Sequence, residues 1–205
     1  SEMYYDGKMY TGQFAVYHSN VRLTNSVFRN SLGDDGINIK YSKVHIDHCT
    51  FENNKADQID LDFCLALVST CAFKPSKIDP NGDGLDLSGS YAEICNSSFI
   101  GFLDKSLSLG EKSKALIHHC HFKQNNNAIT VKDQTILYAW MNYFSSNKVD
   151  YRSFIKKKIF NNPSLYLHKN STKLTFDLLK KEDLHPLSLQ DLKVEKIRFK
   201  KSHMK

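Results

Sequence analysis

Residues 104–132 read DKSLSLGEKSKALIHHCHFKQNNNAITVK, and the spacing inside this stretch decides the fold. Apolar side chains come in pairs two apart: Leu107/Leu109, Ala115/Ile117, Cys120/Phe122 and then Ile129/Val131. A spacing of two places both members of a pair on one face of a strand. Between the pairs stand Gly, Asn, Asp and Ser, which suit tight turns and left-handed backbone. The fourth pair repeats the first after 22 residues. The unit is therefore three short strands and a return.

The same three pairs recur upstream as Leu85/Leu87, Ala92/Ile94 and Ser97/Phe99, and before them as Ile37/Ile39, Val44/Ile46 and Cys49/Phe51. Phe28, Phe51, Phe73, Phe99, Phe122 and Phe144 follow one another at 23, 22, 26, 23 and 22 residues. The leading pairs, from Phe14/Val16 through Ile59/Leu61 to Ile129/Val131, keep the same period. Two apolar columns on one period of about 22 residues define a solenoid whose turns rest on one another. Three strands per turn predict an all-β, right-handed parallel β-helix. A leucine-rich repeat has a similar period, but its Leu-x-x-Leu-x-Leu frame with a following Asn or Cys is missing.

The unbroken repeat argues for one domain over residues 14–177. Residues 1–13 are expected to be a lead-in or cloning remnant, and 178–205 a basic cap or linker, in part helical. Residues 155–205 carry thirteen Lys/Arg against five Asp/Glu, whereas the rest carries fifteen against seventeen. Lys156-Lys157-Lys158 and Arg198-Phe199-Lys200-Lys201 could touch anions, but no nucleic-acid motif accompanies them, which argues against a nucleic-acid partner. No apolar run approaches the 18 or so residues of a membrane span, and no signal peptide is visible.

Five cysteines are present, and Cys49, Cys71 and Cys120 share one repeat position with Ser26, Ser97 and Asn142. They read as a column of small buried thiols. A Cys49–Cys71 disulfide is also sterically open, because adjacent turns lie about 4.8 Å apart. His118-His119-Cys120-His121 looks rich in ligands, but strand neighbours point to opposite faces and no CxxC or HxxxH spacing occurs.

The period also aligns the polar residues. One position after each leading apolar residue stand Ala15, Asn38, Asp60, Asp86, Ser108 and Thr130; three after stand Tyr17, Lys40, Asp62, Ser88, Gly110 and Lys132. Two before stand Gly12, Asp35, Asp57, Asp83, Lys105 and Asn127. The first two columns point away from the core on one flank. Asp57, Asp60, Asp62, Asp83 and Asp86 are thus expected to crowd an external patch, with Lys105 one turn on. Such carboxylates raise one another's pKa or recruit a cation. Asp before a strand also fills turns, but Asp60 and Asp86 are out of place mid-strand. The one long insertion, around Lys77-Ile78-Asp79-Pro80-Asn81, precedes Asp83 and is expected to shape a cleft.

The runs Gly33-Asp34-Asp35-Gly36-Ile37-Asn38-Ile39-Lys40, Asp57-Gln58-Ile59-Asp60-Leu61-Asp62, Asn81-Gly82-Asp83-Gly84-Leu85-Asp86-Leu87-Ser88 and Asp104-Lys105-Ser106-Leu107-Ser108-Leu109-Gly110-Glu111 resemble the Asn/Asp-rich repeats of the pectate-lyase-like superfamily. They are most similar to β-helix modules of large bacterial surface or secreted proteins, some of which carry a CotH-like kinase domain. The resemblance covers roughly residues 11–170. It implies an extracellular or cell-surface location and further domains in a longer parent chain. It does not imply one reaction, because such modules include enzymes, adhesins and scaffolds.

Polygalacturonases of that superfamily carry NTD, DD, G-H-G and R-I-K on successive turns. The matching positions here are Ala56-Asp57, Gly82-Asp83, Asp104-Lys105-Ser106 and Thr130-Val131-Lys132. Two Asp agree, but Gly82, Lys105 and Thr130 replace an Asp, the His and the Arg, which argues against polygalacturonase chemistry itself. A uronan lyase or epimerase would need a cation at the sugar carboxylate and a base for the C5 proton. Ca²⁺ on Asp57, Asp60, Asp83 or Asp86 would supply the first. Lys105 would supply the second only with a lowered pKa, which nearby carboxylates oppose. Three readings stay open: a module binding carbohydrate or a partner protein along the Asp flank, a polysaccharide hydrolase or lyase using Asp57, Asp60, Asp83, Asp86 and Lys105, and a structural spacer.

Overall fold

The computed structural model describes residues 4–5, 8–9, 12–77, 79–168, 174–178, 183–188 and 190. It is an all-β parallel solenoid of three strands per turn, with turns of about 23 residues. Sheet A stacks Gly12–Tyr17, Asp35–Lys40, Ile59–Asp62, Leu85–Ser88, Lys105–Gly110, Asn127–Lys132, Val149–Phe154 and Phe176–Asp177. Sheet B stacks Val21–Thr24, Lys43–Asp47, Leu65–Ser69, Tyr91–Cys95, Lys114–His118, Ile136–Trp140, Ser164–His168 and Leu184–Pro186. Sheet C stacks six three-residue strands from Val27–Arg29 to Tyr143–Ser145. Within the expected lead-in, Tyr4–Tyr5 pairs antiparallel with Lys8–Met9.

Each sheet is in register by the sequence period. Ile37 pairs with Ile59, Ile59 with Leu85, Leu85 with Leu107, and Leu107 with Ile129. The phenylalanine column forms a stack with ring centroids 5.3, 5.0, 4.4, 5.2 and 5.1 Å apart from Phe28 to Phe144. Phe14, on the end strand of sheet A among the described residues, is exposed.

Sheet A runs two strands further than the apolar pairs mark, through Val149–Phe154 and Phe176–Asp177. In Val149–Phe154 a buried Tyr151 fills the core position, its ring tilted against Phe144 at 5.1 Å, and Ser153 takes the second apolar place. Beyond it, Leu184–Pro186 pairs with Leu165–Leu167, and Leu187 is buried against Leu116 and Trp140 on the outer side of sheet B. Residues 179–182, 189 and 191–205, most of the expected basic cap, lie outside the described residues, as does Ile78 of the insertion.

The corners explain the small residues. Cys49, Cys71 and Cys120 thiols and the Ser26 and Ser97 hydroxyls each donate to the carbonyl two residues earlier. The position needs a short donor, which Ser or Cys supplies from Ser26 to Cys120, whereas Asn142 there donates to Ile117 O at 2.9 Å. All five cysteines are free and buried, and burial pushes the Cys71 and Cys120 thiols up to about 12.

Corner backbone is left-handed, as expected, but not only at Asn and Gly. His18, Tyr41 and Phe63 all have φ near 53° (53, 53 and 52) where sheet A turns into sheet B, and Thr70 has φ 54 where B turns into C. The amides of Tyr41 and Phe63 donate to Asp62 O and Ser88 O of the next turn at 2.9 and 2.8 Å. That ladder offsets the strain which a side chain incurs there.

Candidate functional site

The outer face of sheet A carries the aligned polar columns. Asn38, Asp60, Asp86, Ser108, Thr130, Arg152 and Asp177 are successive register partners. Lys40, Asp62, Ser88 and Gly110 form the neighbouring column. The chain thus brings Asp57, Asp60, Asp83, Asp86 and Lys105 to one flank.

Pointing away from the core does not make this column exposed. Asn38, Ser108 and Thr130 are 1%, 0% and 0% exposed, and Asp83 is buried. Turns about 4.8 Å apart let long side chains cover short ones. Lys132 lies over Ser108, its Nζ donating to Oγ at 2.7 Å. The patch is recessed rather than open.

Burial dominates the chemistry of its carboxylates. The Asn38 amide donates to Asp35 Oδ2 at 3.1 Å and to Asp60 Oδ2 at 2.7 Å, bridging two turns. Burial raises Asp35 to about 7 despite that bond, and raises Asp60 to about 8 with the help of Asp62 and Asp35. Asp57 accepts the Asp83 backbone N–H at 2.7 Å. Both carboxyls of this close pair are raised by burial, Asp57 the further because Asp83 repels its charge. Lys105 Nζ lies 3.0 Å from Asp83 Oδ1 and holds Asp83 lower.

Lys105 also pairs with Asp104. Burial pulls the Lys105 ammonium down, but Asp83 and Asp104 outweigh it and leave its pKa raised. A protonated, doubly paired lysine is a poor base for a sugar C5 proton. The geometry therefore gives Lys105 the role of a fixed cation.

The four aspartates do not fit a resident Ca²⁺. That ion takes 6–8 oxygens at about 2.3–2.6 Å. Among the described residues, the group of three or more His, Cys, Asp or Glu donors whose ligand atoms all lie within 4.8 Å is Glu93, Cys95 and His118, on sheet B.

Beyond Lys105 the face turns cationic. Asp104, Lys105, Asn127, Thr130, Lys132, Arg152, Phe154 and Lys156 line a pocket of about 240 Å³. Lys132 is buried, with its nearest carboxylate, Asp86 Oδ1, at 4.0 Å. Arg152 Nε pairs with Asp177 Oδ2 at 3.2 Å. Thr130 Oγ1 is buried with no hydrogen-bond partner among the described residues. Lys132 and Thr130 stand in columns that the period identifies, but Arg152 hides in the turn led by Tyr151. Arg152 is the register partner of Thr130 on the next turn. The insertion forms a turn in which Asp79 Oδ1 accepts the Asn81 N–H at 2.9 Å. The pocket lies further along the face, not beside that turn. A second cavity, of about 290 Å³, is lined by Asn20–Arg22 and Lys43–His45 at the first two turns of sheet B, away from the carboxylates.

The paired pKa shifts fix a pH dependence. Asp35 and Asp60 hold their protons to about pH 7 and 8 when folded, but lose them near 3.8 when unfolded. Their contribution is therefore complete below about pH 4 and declines as pH rises to about 8. Asp60→Asn keeps an acceptor for Asn38 and should remove on the order of 2 kcal/mol of that decline, allowing for screening. Urea midpoints between about pH 5 and pH 8 measure it; a wild-type stability that rises over this window contradicts the assignment.

Residues 8–178 match the family described as the right handed beta helix region. No curated protein matches the chain.

Proposed function

The chain belongs to the right-handed β-helix family, and from that premise we propose that it binds an acidic polysaccharide along the outer face of sheet A, as a module of a longer secreted or surface protein. The pocket at Lys132, Arg152 and Lys156 carries this reading. It gathers cations beside a buried hydroxyl, Thr130 Oγ1, that lacks a partner among the described residues. A sugar carboxylate would accept from the ammonium groups, and a neighbouring sugar hydroxyl would complete Thr130. Lys105 is already taken by Asp83 and Asp104, so it borders the pocket instead of neutralising the ligand. The partly protonated Asp60 and Asp57 offer donors and acceptors to hydroxyls on adjoining sugars.

A second reading, turnover instead of retention, rests on the Asp57/Asp83 pair. Environments that push two carboxyls apart assign an acid and a base. Asp57 keeps its proton while Lys105 favours ionised Asp83. A glycoside hydrolase would use them in those roles.

Calorimetric titration with oligogalacturonate and oligoalginate separates the readings. Binding predicts saturable heat, lost progressively with salt, and at least about tenfold weaker in Arg152→Ala. Turnover predicts reducing ends that appear with wild type and vanish in Asp83→Asn, with the thermal transition unchanged. Neither heat nor product with any acidic glycan leaves the spacer reading.

A further inference from the structure

Sheet B carries a second cluster, on the outer side of the solenoid and away from the polar face of sheet A. Cys95 and His118 are register partners on adjacent strands, and Glu93 stands two residues before Cys95 on the same face. The donor atoms of Glu93, Cys95 and His118 all lie within 4.8 Å of one another. We infer that these three residues form a binding site for Zn²⁺.

The donor set suits that ion. Thiolate, imidazole and carboxylate are the three ligand types zinc takes, at about 2.3, 2.0–2.1 and 2.0–2.2 Å. Around a tetrahedral ion such atoms sit about 3.4–3.6 Å apart, so the cluster closes on zinc with small side-chain rotations. Three protein ligands leave the fourth position to water, the pattern of an open site.

His118 is already held in the orientation that a ligand needs. Its ring stacks on Trp140, with centroids 4.4 Å apart and 19° between planes. Nδ1 faces His119 Nδ1 at 2.9 Å, and Nε2 faces Glu93 Oε1 at 2.8 Å. Without metal, an Nε2–H donates to Glu93. To ligate zinc through Nε2 the neutral ring takes its other tautomer, with its single proton on Nδ1; that N–H donates to His119 Nδ1, whose own proton then lies on Nε2, and this second partner fixes the tautomer as those of zinc ligands do. Cys95 Sγ gives up its own proton to become the thiolate ligand. Cys95 and His118 are buried and Glu93 half-buried, with the exposed His119 beside them, so the cluster is recessed at the surface. A metal here links two adjacent turns.

The test uses the reduced, metal-free chain, with Zn²⁺ titrated by calorimetry and Co²⁺ added as a spectral probe. One equivalent of Zn²⁺ should bind and raise the unfolding temperature, and Co²⁺ should give a thiolate-to-metal charge-transfer band. Cys95→Ser should abolish the band, and Glu93→Gln should weaken zinc at least about tenfold, while Cys71→Ser retains both signals. Absence of saturable zinc binding overturns the inference. So does binding that survives Cys95→Ser and Glu93→Gln in chains whose melting shows them folded. If Cys95→Ser fails to fold, Glu93→Gln alone decides.

Discussion

Phe99→Ala is expected to lower the unfolding free energy by about 3–5 kcal/mol. The ring is fully buried and stacks on Phe73 at 4.4 Å and Phe122 at 5.2 Å, at the middle of the column. Truncation removes apolar burial and leaves a cavity, because backbone ladders on both sides hold the turns at fixed spacing. Against a net stability of about 5–15 kcal/mol, that is a large fraction. A solenoid's stability is a sum over neighbouring turns, so the weakened central interface should also broaden the transition. Phe28→Ala, at a half-exposed end of the same column, should cost less than half as much. Chemical denaturation of both variants checks the comparison; equal losses would mean that the column does not act through stacking depth.

Gly82→Ala is expected to cost about 3 kcal/mol, near the upper end for overpacking. A Cβ there would sit 2.1 Å from Ala56 O and 2.6 Å from Ala56 C, both backbone atoms of the preceding turn. Neither turn can yield without breaking a ladder. The next residue is Asp83, whose N–H is bonded to Asp57 and whose carboxylate meets Lys105, so the displacement reaches the polar face. Gly33→Ala is the control: its nearest neighbour is a side-chain atom, Ser31 Oγ at 3.6 Å. That change should be neutral or slightly stabilising through the unfolded chain. Thermal and urea unfolding of the two variants, with calorimetry on the glycan, measures both effects.

The core was legible because parallel strands in register convert sequence period directly into columns. Ile37, Ile59, Leu85, Leu107 and Ile129 could be aligned before any coordinate. The polar flank was legible by the same ruler, but its exposure was not, because cover comes from neighbours such as Lys132 over Ser108. Arg152 escaped because Tyr151 and Ser153 replace the apolar pair that marks every earlier turn. His118 was visible as a ligand type, but Glu93 and Cys95 escaped for a different reason. Their ligand geometry with His118 spans two turns, so local spacing rules for zinc see nothing. Phe63 and Thr70 at left-handed corners carry no signal in residue type, since the next turn's carbonyl imposes the conformation.

The central claim is that the cationic end of sheet A seats a sugar carboxylate. Calorimetric titration of matched polygalacturonate oligomers, free acid against methyl ester, tests it most directly. The account predicts saturable binding of the acid at least about tenfold tighter than the ester, with the difference lost in Lys132→Met and Arg152→Ala. Equal affinity for acid and ester, or a preference untouched by both substitutions, would contradict it.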